Sequence, residues 1–155
     1  MKLPPDFRDL LVEFAREGVE HAILGGYAFA YHAEPRATKD LDLLIGGGAD
    51  NRARAGRALL RFGAPRNVIE AVENLGNDEV AYFGEAPLRV DILRTVDGVS
   101  TDAVLRNAVA ASWDGVPVRV ICLDDLIANK RAAGRPQDVA DLARLLEARD
   151  RRPSP

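Results

Sequence analysis

The stretch Ile23 to Gly48, ILGGYAFAYHAEPRATKDLDLLIGGG, sets two carboxylates, Asp40 and Asp42, into an otherwise apolar run. Leu41, Leu43, Leu44 and Ile45 have the make-up of an interior strand, where an uncompensated carboxylate is costly. Residues two apart in a strand share a face, so Asp40 and Asp42 project together while Leu41 and Leu43 turn to the core. Paired carboxylates repel unless a cation lies between them, and a hard divalent ion suits an all-oxygen donor set. Asp91, the single acid in the apolar run RVDIL (89–93), offers a third ligand. Three such acids on adjacent strands would hold two metal ions, Mg²⁺ or Mn²⁺, for an in-line displacement at phosphorus.

The other half of the motif is Gly25-Gly26, between a strand and a helix. Glycine lets a phosphate approach the backbone, and a helix N-terminus offers N–H groups to an anion. Arg36 and Thr38 lie just upstream of Asp40 and join the candidate nucleotide-binding set.

Outward from this stretch, Phe7, Leu10, Leu11 and Phe14 predict a first helix stopped by Gly18. VEHAILGG reads as a strand, YAFAYHAE as a helix closed by Pro35, and Asn51 to Phe62 as a helix. NVIEAVENLG gives another short helix. EVAYFG and LRVDILR pair through EAP, and TDAVLRNAV is a helix capped by Thr101. Asp114-Gly115 marks a hairpin, and two helices, Asp124 to Ala133 and Pro136 to Arg149, close the chain around Gly134. Residues 1–150 are expected to form one domain, with 151–155 a frayed tail. The order is not an alternating strand-helix series, so an α+β sheet flanked by helices is expected.

With 155 residues, 47% hydrophobic and 29% charged, the composition is that of a globular chain, and the net charge of -3 excludes no partner class. No stretch is apolar for the length of a membrane span and the N-terminus lacks a signal peptide's core, so no membrane partner and a cytoplasmic location are expected. Cys122 is the only cysteine, and His21 and His32 lack metal-site spacing.

LGGYAFAYHAEPRATKDLDLLI resembles the nucleotidyltransferase signature of the DNA polymerase β superfamily. Its Arg-x-Thr-x-Asp-x-Asp form is most similar to the AbiEii/AbiGii-like and MenT-like toxin nucleotidyltransferases. DLIANKRAAGRPQDVADL likewise resembles the C-terminal motif of that group. The resemblance spans roughly residues 20 to 145 and implies a nucleotidyltransferase-like mixed β-sheet with C-terminal helices. It implies that Asp40, Asp42 and Asp91 bind metal and act in catalysis, and that Gly25 and Gly26 face the nucleotide phosphates. Lys130 would serve the triphosphate, with Arg135 and Asp138 holding the following helix. Polymerase-like members carry serine where this chain has Gly26.

The expected activity is transfer of an NMP from an NTP to an acceptor hydroxyl, with Asp91 as general base. Arg52, Arg54, Arg57, Arg61 and Arg66 fall in a segment with no acid, and seven basic residues against four acidic follow Asn129. These patches favour a tRNA acceptor or another macromolecule, in a toxin-antitoxin or defence setting with a cognate antitoxin as partner. Two alternatives stand: transfer to a small antibiotic of aminoglycoside or lincosamide type, with Glu79 and Glu85 as acceptor-pocket acids, and a non-catalytic nucleotide- or partner-binding module. Asp138 and Asp141 are expected to pair with Arg135 or Arg144.

Overall fold

A computed structural model describes residues 1–154. Helix α1 (Pro5–Glu17) starts on a proline, which suits a first helical turn, and buries Phe7, Leu10, Leu11 and Phe14 before Gly18 ends it at φ 65°. Strand β1 (His21–Ile23) leads into α2 (Gly25–His32), and β2 (Asp40–Ile45) is followed by α3 (Ala49–Phe62) and α4 (Arg66–Glu73). Then come β3 (Val80–Phe83), β4 (Arg89–Leu93), α5 (Thr101–Asn107), β5 (Val109–Trp113), β6 (Val116–Val120), α6 (Leu123–Ala133) and α7 (Pro136–Asp150). The six strands form one mixed sheet in the order β3-β4-β2-β1-β6-β5. Pairs β2/β4 and β1/β6 are parallel, and the other three are antiparallel. The fold is thus the expected α+β class.

Several boundaries differ from expectation, each for a local reason. β1 is only three residues long, because Leu24 already leaves the ladder to begin α2 while its N–H still reaches Asp42 O at 2.9 Å. α3 begins at Ala49, with Gly48 as its N-cap and Asp50 in the first turn. The cap of α5 is Ser100, whose Oγ accepts from Ala103 N at 3.2 Å, and not Thr101, whose Oγ1 donates to Arg94 O at 2.6 Å. The β5–β6 turn is as expected, with positive φ at both Asp114 (51°) and Gly115 (78°). The tail is tied down at Arg152, whose Nη2 lies 3.0 Å from His32 Nδ1; Pro155 lies outside the described residues. His32 Nε2 donates to Ile121 O at 2.6 Å, so this buried histidine links α2 to the residues that follow β6 and α7.

The alternation of β2 and β4 separates the two faces of the sheet. Leu41, Leu43, Val90 and Ile92 are buried on one face. A groove of about 740 Å³ on that side is lined by Phe7, Val12, Phe62, Phe83 and Val90, which places α1 and the end of α3 there. The carboxylates of Asp40, Asp42 and Asp91 therefore lie on the other face.

Asn51 joins these parts. Its Oδ1 accepts from Glu20 N at 2.7 Å, and its Nδ2 donates to Glu20 O and Gly46 O, both at 3.0 Å. The start of β1, the end of β2 and the first turn of α3 thus meet on one side chain that is 5% exposed. Asn51→Ala leaves buried backbone groups unpaired and is expected to cost about 2–4 kcal/mol in urea unfolding with an unchanged m-value.

Candidate active site

β2 and β4 run parallel in a register that sets Asp42 against Asp91 and Asp40 against Arg89. Directly paired residues share a face, so Asp40, Asp42 and Asp91 lie on one face of the sheet. The result is electrostatically unfavourable for Asp42. Burial first, then the charges of Asp91 and Asp40, push its carboxyl up to about 6, and Lys130 and Arg89 only partly oppose this. Asp91 is neutralised locally, because Arg89 Nε donates to its Oδ1 at 2.5 Å.

Gly25 and Gly26 have a role that spacing alone did not show. A Cβ on Gly25 would stand 2.0 Å from Asp42 Oδ2, and one on Gly26 would stand 2.9 Å from Thr38 Oγ1. The glycine pair thus lets β2 and its approach loop close onto the first turn of α2. Gly25 also sits at φ 60°, where a side chain is strained. No side chain caps α2, so its leading N–H groups face the carboxylate end of the sheet available to an anion. Thr38 Oγ1 donates to Asp40 O at 3.2 Å and so shapes the entry to β2.

Lys130 and Arg36 belong to an internal charge network. Lys130 Nζ, 8% exposed, lies 3.1 Å from Asp138 Oδ1 and 3.0 Å from Asp141 Oδ2. Arg36 Nη1 donates to Asp141 Oδ1 at 2.6 Å while its guanidinium lies 4.2 Å above the Phe29 ring. Arg135 Nε donates to Asp138 Oδ2 at 2.7 Å, and the backbone N of Arg135 donates to the same oxygen at 3.2 Å, capping α7. Asp141 is therefore held by Arg36, Lys130 and Gln137, and not by Arg144, which reaches Glu147 and Glu34. Burial opposes ionisation of Asp138 and Asp141, but hydrogen bonds from Arg135, Lys130, Arg36 and Gln137 outweigh it and hold both carboxyls below the usual range. Three cations meet two carboxylates, and the surplus positive charge acts on Asp42.

The arginine face of α3 is different from its sequence impression. Arg57 Nε and Arg61 Nε both lie 3.0 Å from the two oxygens of Glu17, on α1. Arg52 donates to Glu73 O at 3.1 Å and to Gly47 O, and Arg66 pairs with Glu70. Glu17 of α1 thus supplies an acid to Arg57 and Arg61, on the sheet face away from the carboxylates, while Arg52 is held by backbone carbonyls and Arg66 by an acid of its own helix. Glu79 is also engaged, its Oε2 accepting from Gly76 N at 2.8 Å, and Glu85 lines the groove beside α1. Neither forms an acidic pocket with Asp91. Two residues that the sequence reading passed over, Arg89 and Tyr82, flank Asp91 instead; their signal was the alternation of β4 and its pairing with β3.

Among the described residues no three His, Cys, Asp or Glu side chains converge as a ready-made metal cluster. The donor set nevertheless has the chemistry for a hard divalent ion. Asp42 and Asp91 are paired across strands, Asp42 carries negative charge that Lys130 and Arg89 relieve only in part, and Arg89 gives Asp91 the positive charge that an ion would otherwise supply.

The raised Asp42 carboxyl fixes the sign of a stability effect. The folded state holds this proton more tightly than the unfolded chain, so stability falls as pH rises from about 4 to above 6. In metal-free buffer Asp42→Asn is expected to raise unfolding stability at pH 7.5 by up to about 3 kcal/mol, with the gain gone near pH 4. Urea titrations at the two pH values check it. Gly25→Ala is expected to cost at least about 2 kcal/mol, because strain at positive φ adds to the clash with Asp42; thermal unfolding beside Gly18→Ala, which meets no atom within 4 Å, isolates the clash.

No family model matches the sequence, and no curated protein matches it. Among solved structures, the chain is similar to the crystal structure of ANT(2″)-Ia in complex with adenylyl-2″-tobramycin. The TM-score is 0.61 at 14% identity, covering 92% of this chain and 86% of that one. It is also similar to the solution structure of the antibiotic-resistance factor ANT(2″)-Ia, with a TM-score of 0.57 at 14% identity over 92% of this chain and 82% of that one. The chain has the fold of these nucleotidyltransferases.

Proposed function

We propose that the protein is a metal-dependent nucleotidyltransferase that moves an NMP from an NTP to an acceptor hydroxyl. The observation that carries this reading is the register of Asp42 against Asp91, with Asp40 on the same face, at the uncapped N-terminus of α2. The fold shared with ANT(2″)-Ia supports it.

Two Mg²⁺ or Mn²⁺ ions held by Asp40, Asp42 and Asp91 would supply charge neutralisation at the triphosphate and acidify the attacking hydroxyl. The chain's own groups do the rest. The N–H groups at Gly25 and Gly26 bind phosphate oxygens, and the surplus charge of the Lys130, Arg36 and Arg135 network draws the triphosphate toward Asp42. Asp91 takes the acceptor's proton as the acceptor oxygen bonds to the α-phosphorus. The bond from that phosphorus to the bridging oxygen breaks, and pyrophosphate leaves.

For the acceptor we favour RNA, such as a tRNA 3′ end, because the side chain beside Asp91 is the cationic Arg89 and not an acid. A toxin role with a neutralising partner protein is part of this reading. The second reading is a small cationic antibiotic as acceptor, favoured by the likeness to a structure that holds adenylyl-2″-tobramycin.

The test is incubation of the protein with each α-labelled NTP, Mg²⁺ and total bacterial tRNA, beside an Asp40→Ala, Asp42→Ala double variant. Label is expected in tRNA with the wild type and at least about 10³-fold less with the variant. Label entering tobramycin and not tRNA would select the second reading. Absence of transfer to either, together with absence of metal-dependent nucleotide binding, would remove both in favour of a binding module.

A further inference from the structure

The row that joins Asp42 to Asp91 continues one strand further. Tyr82 on β3 stands opposite Asp91 in the antiparallel register, and such partners put their side chains on the same face about 5 Å apart. An aromatic side chain is thus the outer member of a row whose inner two are carboxylates of the site. Tyr82 is 62% exposed, and Val80, on the same face of the same strand, is 44% exposed. β3 is an end strand of the sheet. Arg89 lies over the Tyr82 ring, with Cζ 4.5 Å from the ring centroid, while its Nε donates to Asp91. Half of the Arg89 side chain is open to solvent.

We propose that Tyr82 and Arg89 form the acceptor subsite and that it takes the terminal base and phosphate of a single-stranded RNA end. This rests on the transfer reading above. Single exposed apolar residues are ordinary on protein surfaces, but this one is in register with the acid that must receive the acceptor's proton. An aromatic ring accepts any base by stacking, and a guanidinium beside it adds cation-π attraction and a phosphate contact. Arg89 already binds a carboxylate through a charge-assisted hydrogen bond, the geometry it would use toward phosphate. A polycationic antibiotic would meet like charge at Arg89, while Glu79 is bound to Gly76 N and Glu85 lines the groove beside α1. Selection at this subsite is for an unpaired, unstacked end and not for a particular base.

The experiment measures the anisotropy of a fluorescein-labelled single-stranded hexaribonucleotide with the wild-type chain and with Tyr82→Ala, Tyr82→Phe and Tyr82→Trp, in Mg²⁺ at fixed salt. Calorimetry measures Mg²⁺-dependent NTP binding by the same four proteins. Tyr82→Ala is expected to weaken RNA binding about tenfold or more, while the aromatic replacements stay within about threefold and NTP affinity is the same in all four. Equal RNA affinity for wild type and Tyr82→Ala, absence of RNA binding by the wild type, or tobramycin displacing the RNA would each overturn the subsite. Parallel loss of NTP binding in Tyr82→Ala would also overturn it, by showing a structural role. RNA binding through Tyr82 with no NTP binding in the wild type would uphold the base-stacking contact and count against transfer, so the two failures are distinguishable.

Discussion

Asp42 and the first turn of α2 occupy adjoining space that admits no side chain at Gly25, where a Cβ would fall 2.0 Å from Oδ2. That contact sets how near the carboxylate face of the sheet comes to a helix N-terminus. A larger residue would push α2 away and separate the groups suited to a cation from those suited to an anion. Thr38 repeats the constraint one residue on, against Gly26. The rest of the site is arranged around this approach: β4 brings Asp91 by register and Arg89 with it, α6 brings Lys130, and α7 brings the carboxylates that hold Lys130 in place.

Charge in the protein is sorted by sheet face. On the α1/α3 side, Arg57 and Arg61 share Glu17, and pairs made by such solvent-exposed arginines add little stability. On the other side, like charges are held together at Asp42 and Asp91, and the opposite sign is kept in a buried cluster around Lys130. A buried cluster of this kind is weak as a source of stability, since desolvation offsets much of its attraction. It fixes the arrangement of α2, α6 and α7 about the site.

Much of this was legible in the sequence because it depended on periods of two and on glycine. The alternation of β2 placed Asp40 and Asp42 on one face, RVDIL announced Asp91, and Gly18 and Gly134 ended their helices in the left-handed conformation as glycines do. What was hidden depended on which element lies beside which. The arginines of α3 read as an open basic face because Glu17 lies on another helix. Glu79 and Glu85 read as neighbours of Asp91 because they are near it in the chain, yet one binds a turn and the other lies beyond the sheet. Lys130 and Arg36 read as ligand-facing because their partners, Asp138 and Asp141, are on α7. Tyr82 went unremarked for the same reason, since its place is set by a cross-strand register.

The parallel pairing of β2 with β4 and the Arg36–Asp141 bond have a consequence for when the site comes into being. Ile45 and Arg89 are joined only through two helices and an antiparallel strand, and Arg36 and Asp141 are 105 positions apart. Contacts of such separation form late, after the entropy of closing long loops has been met. On a ribosome, a chain with its carboxylates already synthesised would still lack α7 and hence the counter-charges that hold Lys130 and Arg36. Assembly of the carboxylate face with its surroundings thus coincides with completion of the last helix, and a chain cut short before it would carry all three acids without the charge network that borders them.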